Sequence, residues 1–118
     1  MANEDFVTFE QAQQLKELGF DWWGTTIYLD GHLTPTFILS YAYTERDNCL
    51  PAPTIYLVQK WFREVKGMLI LIQHNKNFYW TISTNDSDHE VIAIYEYETY
   101  EKALLGAINK ALELLKNE

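Results

Sequence analysis

The chain has 118 residues, of which 47% are hydrophobic and 15% aromatic, and it carries a formal charge of −8. That length fits a single domain, 1–118, burying roughly two-thirds of its unfolded surface, and the composition argues against disorder. Residues 1–50 hold 2 basic against 8 acidic groups and residues 51–118 hold 7 against 9; such a surface repels phosphate backbones, so nucleic acid is not an expected partner.

In chain order, VTFEQAQQLKELGF reads as a short helix. Thr8 suits the N-cap, Gln11 three residues on completes a capping box, and Val7 with Ala12 forms a hydrophobic staple. Phe9, Ala12, Leu15 and Leu18 make the apolar stripe, and Gly19 followed by Phe20 suits a left-handed helix end. Thr25 to Leu29 are strand formers, and Asp30-Gly31 is a hairpin-turn signal. Thr36 to Tyr43 are again strand-like, with Pro35 before them marking a sheet edge. TERDN reads as a loop.

Pro51 and Pro53 argue against strand and for a helix start, with Thr54 as cap. Val58, Trp61, Phe62 and Val65 follow at helical spacing, and Gly67 ends the helix. MLILIQHN and FYWTIST form a second hairpin around Asn75, Lys76 and Asn77. Met68 to Ile72 is continuously apolar, which predicts a central strand covered on at least one face. After the polar loop NDSDH, EVIAIYEYE extends this hairpin as a further strand. Last, TYEKALLGAINKALELLKN carries Tyr100, Ala103, Leu104, Ala107, Ile108, Ala111, Leu112 and Leu115 at spacings of three and four, with Thr99 as cap. The order α-ββ-α-ββ(β)-α predicts an α+β fold: one antiparallel sheet with helices packed mainly on one face, a two-layer sandwich. Helix and hairpin occur twice, over 6–43 and 53–84, a degenerate repeat.

One cysteine allows no internal disulfide. MANEDFVTFEQ has no apolar signal-peptide core, and no run approaches the roughly 18 apolar residues of a membrane span. The expected location is cytoplasmic, with no membrane partner.

Three stretches, FVTFEQAQQLKELGFD (Phe6 to Asp21), LPAPTIYLVQKWFREVKG (Leu50 to Gly67) and YETYEKALLGAINKALELL (Tyr97 to Leu115), together resemble a family of small uncharacterised bacterial and prophage-encoded proteins. The resemblance implies a bacterial or phage intracellular origin and brings no catalytic residues with it.

Candidate chemistry is sparse. Cys49 precedes a helix, but a nucleophilic thiol needs a base, and His32 or His89 would have to approach in space; a structural thiol is the simpler reading. The histidines His32, His74 and His89 have no ligand-pair spacing. Asp86, Asp88 and Glu90 alternate like the start of a calcium loop, yet lack its glycine and terminal glutamate. Glu96, Glu98 and Glu101 suit a helix dipole better than acid–base work. No phosphate-binding glycine motif is present. No catalytic, cofactor or metal site is therefore expected, and the chain reads as a non-enzyme.

The aromatics are the remaining signal. Tyr and Trp bury much area while keeping a polar handle, which suits interfaces. Trp22, Trp23, Tyr28, Tyr41 and Tyr79 form the candidate interaction surface, for a protein partner or self-association. An aromatic pocket for a small molecule is the alternative.

Overall fold

The computed structural model describes residues 5–35, 49–84 and 90–116. The protein has an α+β fold, with three helices and two three-stranded antiparallel sheets among these residues. The chain forms two compact units, Phe6–Thr54 and Ile55–Glu118 with Met1–Asp5. Two sheets thus stand where the sequence suggested one.

In the first unit, helix α1 (Phe9–Glu17) is fixed at both ends by local chemistry. The Thr8 side chain accepts from Gln11 N while Gln11 Oε1 accepts from Thr8 N, the reciprocal pair of a capping box. At the other end Gly19 takes φ +92, and Phe20 N bonds Leu15 O while Gly19 N bonds Lys16 O. These two bonds are the Schellman arrangement. Strands β1 (Thr26–Leu29) and β2 (His32–Pro35) form a hairpin at the predicted Asp30-Gly31 turn, with Asp30 at φ 53 and Gly31 at φ 82, and its second strand begins directly after the turn, at His32, ahead of the strand expected from Thr36. Both turn residues are left-handed, as a two-residue type I′ loop requires. Pro35 lies at the end of the edge strand β2. The strand expected over Thr36 to Tyr43 lies outside the described residues.

Strand β3 (Cys49–Pro51) pairs with the other side of β1, giving the order β2-β1-β3. Pro51, expected to break strand structure, is accommodated because Ala52 N bonds Thr26 O, so the Pro51 nitrogen faces away from β1, on an edge of the sheet formed by the described residues. Pro53 O accepts from Val7 N at 3.2 Å, which ties the segment before α1 to the end of this strand.

In the second unit, α2 (Ile55–Val65) begins directly after Thr54 and ends before Gly67, which takes φ +65. Ile55, Val58, Trp61 and Phe62 are buried. Val65, which shares their spacing, is 50% exposed because it sits at the last position of the helix. Strands β4 (Met68–Asn75), β5 (Asn77–Thr84) and β6 (Glu90–Ile92) form a meander in sequence order. Among the described residues the central strand is therefore β5, and the apolar β4 is an edge strand. Its burial alternates, with Met68 and Ile70 buried and Leu69 and Leu71 exposed. Cross-strand register places Met68, Ile70 and Ile72 opposite Thr84, Ile82 and Trp80 on one face. Helices α2 and α3 (Tyr100–Lys116) pack against β4 and β5, and the predicted stripe of α3 from Ala103 to Leu112 is fully buried. Thr99 Oγ1 accepts from Lys102 N at 3.1 Å, confirming the cap. No described helix is long and apolar enough to cross a membrane.

One glycine has a packing role. Gly106 lies in α3 where Tyr97 crosses it: a Cβ there would overlap Tyr97 Oη and stand 2.7 Å from Cζ. Alanine is favoured over glycine in a helix by about 1 kcal/mol, but overpacking costs about 1–3 kcal/mol. Gly106→Ala should therefore lower stability by up to about 2 kcal/mol in urea denaturation. In a Tyr97→Ala background the same substitution should raise stability, because only helix propensity remains.

Candidate functional site

The predicted aromatic surface is distributed differently. Tyr28 is a core residue, not a surface one: it is 8% exposed. Its ring meets Phe9 edge-on at 5.5 Å, and its hydroxyl donates to Val7 O at 2.6 Å. Position parity on β1 turns Tyr28 toward α1, so the polar handle that suggested an interface is used inside the fold. Trp22 and Trp23 are half-buried in the same unit, with Trp22 6.2 Å from Phe20. Tyr41 lies outside the described residues. Tyr79 belongs to the other unit, half-buried on the face of β5 opposite the helices.

Of the candidate chemical groups, Cys49 has no exposed surface. His32 is exposed on β2, the His74 ring lies 4.6 Å from that of Phe78 at a 39° tilt, and His89 is outside the described residues. Asp86 and Asp88 are also outside them, and Glu90 is exposed on β6. Glu98 pairs with Lys102 on the surface at 3.7 Å, and Glu101 accepts from the Tyr56 hydroxyl at 3.3 Å. Among the described residues no group of three His, Cys, Asp or Glu side chains could hold a metal ion.

What stands out is the chain after β6. Ala93 N bonds Trp80 O at 2.9 Å, and Tyr97 then exchanges two backbone bonds with Phe78, at 2.7 and 2.8 Å. Three residues, Ile94, Tyr95 and Glu96, thus stand opposite the single residue Tyr79. Surplus residues on one strand must leave the ladder, as in a bulge. They carry Ile94 to 90% exposure and Tyr95 to 71%, beside Ile92 at 56%. Glu90 and Glu96 are exposed on the same segment.

Beneath this excursion lies an open cleft of about 370 Å³, lined by Trp80, Ile94, Tyr95, Tyr97, Gly106 and Lys110 among others. The missing side chain at Gly106 leaves room for the Tyr97 ring in its wall. Trp80 is buried, and its indole N–H has no hydrogen-bond partner among the described residues. A second cleft, about 640 Å³, lies in the first unit between α1 and the β1–β2 turn, with Phe9 and Leu50 apolar and Lys16, Glu17 and Asp30 polar. Neither is lined by Trp22 or Trp23.

Sequence reasoning missed Ile92, Ile94 and Tyr95 because the strand-forming run EVIAIYEYE reads as one unbroken strand, and no glycine or proline marks the departure at Ile94. The available signal was the excess of apolar and aromatic residues in one short acidic segment. Comparison with protein-family models, curated proteins and solved structures returned no match.

Burial pushes the Tyr28 phenol above its usual value of 10.0. A raised folded pKa contributes stability that is complete below the unfolded value and is lost as pH climbs through the folded one. Stability should accordingly fall above pH 10.0, and urea midpoints taken on either side of that pH should fall less in Tyr28→Phe. The same variant should lose about 1–2 kcal/mol at neutral pH, because Val7 O is left unpaired.

Proposed function

We propose that this chain is a non-enzymatic accessory protein that works by binding a protein partner, with the 92–96 segment as its docking surface. The observation that carries the reading is the exposure of Ile94 and Tyr95 at the tip of a defined backbone excursion. Leaving adjacent large apolar groups in water forgoes roughly 25 cal/mol per Å² of burial, and apolar patches rimmed by polar residues mark interaction sites. Tyr79 and Ile92 continue the patch, and Glu90 and Glu96 give it an acidic rim. The matching partner surface has an apolar or aromatic centre and a basic edge. The cleft behind the excursion suits an anchoring side chain, as the centres of tight interfaces do. The prophage-family resemblance favours a bacterial or phage partner inside the cell.

The cleft also supports a second reading, a small-molecule site walled by Tyr95, Tyr97 and Trp80. Mass spectrometry of the gently purified chain separates the two, since a ligand adds hundreds of daltons and a protein adds thousands.

Ile94→Ser with Tyr95→Ser should reduce recovery of the partner captured by the unmodified chain by about tenfold or more. Thermal unfolding should stay unchanged, because both side chains are mostly in solvent. Equal recovery by the double variant would overturn this docking surface.

A further inference from the structure

The sheet of the second unit has another edge, β4, whose backbone directions follow from the opposite side of β5. Phe78 and Trp80 spend backbone bonds on Tyr97 and Ala93. In an antiparallel ladder successive residues direct their N–H and C=O groups to opposite sides. Tyr79, Thr81 and Ser83 therefore aim at β4, where they meet Gln73, Leu71 and Leu69. Met68, Ile70, Ile72 and His74 must then aim outward. Ile70 O, which this parity turns away from β5, accepts from the Gln59 side-chain amide at 2.9 Å. Among the described residues no strand pairs with this edge.

Exposed edges are usually blunted by proline, charge or a bulge. Strand β4, MLILIQHN, has no proline and no Asp, Glu, Lys or Arg, and its eight residues pair one-to-one with β5 without a bulge. In a chain of charge −8, this neutral stretch is where two copies can approach without acid meeting acid. A foreign partner drawn by the acidic surface would find no counter-charge here.

We propose that β4 pairs antiparallel with β4 of a second copy, joining two sheets across a two-fold axis. The strand is self-complementary with Ile70 opposite the second copy's Ile70. Met68 then faces Ile72, while Leu69 faces Leu71 twice across the axis. Leu69 and Leu71, 39% and 44% exposed in the single chain, become two cross-strand leucine pairs at the closer, non-hydrogen-bonded positions. Ile70 O keeps its bond from Gln59, because a carbonyl oxygen has a second lone pair for the incoming strand. This edge is distinct from the 92–96 surface, so the proposal stands or falls separately from the partner reading.

Analytical ultracentrifugation of the unmodified chain at about 0.1 mM should give twice the 13.9 kDa chain mass. Amide exchange at Ile70 and Ile72 should slow with rising concentration, while that at Leu71, already bonded to β5, should not. Leu69→Lys with Leu71→Lys places like charges opposite one another, and Leu69→Glu with Leu71→Glu does the same with the other sign. Each double variant alone should remain a single chain, and an equimolar mixture should regain the dimer mass. A 13.9 kDa species from the unmodified chain, a dimer without concentration-dependent protection at Ile70 and Ile72, or a mixture that stays monomeric would each overturn the proposal.

Discussion

The two backbone hydrogen bonds between Phe78 and Tyr97, at 2.7 and 2.8 Å, constrain more of this protein than any side-chain contact. They fix Tyr97 directly beside β5 when Ala93, four positions earlier, is already bonded two residues away on the same strand. The difference in length has to be expelled, and so Ile94 and Tyr95 stand in solvent. The same bonds hold the Tyr97 ring over α3, which only a helix without a side chain at position 106 accepts. They also set the alternation of β5, which is transmitted through the ladder to β4 and decides which of its backbone groups face outward. The exposed segment, the Tyr97 wall of the cleft and the outward direction of alternate β4 backbone groups all follow from one pairing.

The two margins of this sheet solve the edge problem in opposite ways. Beyond β6 the backbone leaves the ladder and carries glutamates, which spoils it as a template for strand addition while presenting side chains. Along β4 the eight residues stay regular and uncharged, and among the described residues only the Gln59 side chain is seen to bond its outer side, at Ile70 O. Exposed side chains and regular main chain thereby lie at opposite margins of one small sheet, and the cleft beside the first is walled in part by Gly106 and Lys110 of α3.

Features legible in the sequence are those determined within a few residues. Thr8 with Gln11, Gly19 with Phe20, and Asp30-Gly31 each specify a local geometry that no distant contact needs to support, and each is found. The long stripe of α3 was equally readable because four turns of consistent spacing leave one solution. Strand features were less so. Face assignment in a strand depends on which side is covered, so Tyr28 points inward despite its amphipathic character. Met68 to Ile72 reads as a central strand because leucines at alternate positions are indistinguishable from core until the strand order is known, and among the described residues β4 has a neighbour on one side alone. Pro51 was read by its propensity alone, whereas its tolerance is a property of being at an edge. The exposed 92–96 segment is hidden for a similar reason: pairing between Phe78 and Tyr97 is a long-range event, and EVIAIYEYE carries no local mark of it.

The sole cysteine offers a view of how independently the two units hold together. Cys49 lies wholly inside the Phe6–Thr54 unit, on a three-residue strand, with no exposed surface. A thiol reagent reaches it only when that strand detaches, so its alkylation rate reports the opening frequency of one unit alone. If that rate tracks global unfolding, the chain behaves as a single cooperative body. If labelling outpaces it, the amino-terminal unit breathes on its own while the sheet that carries both proposed surfaces stays intact.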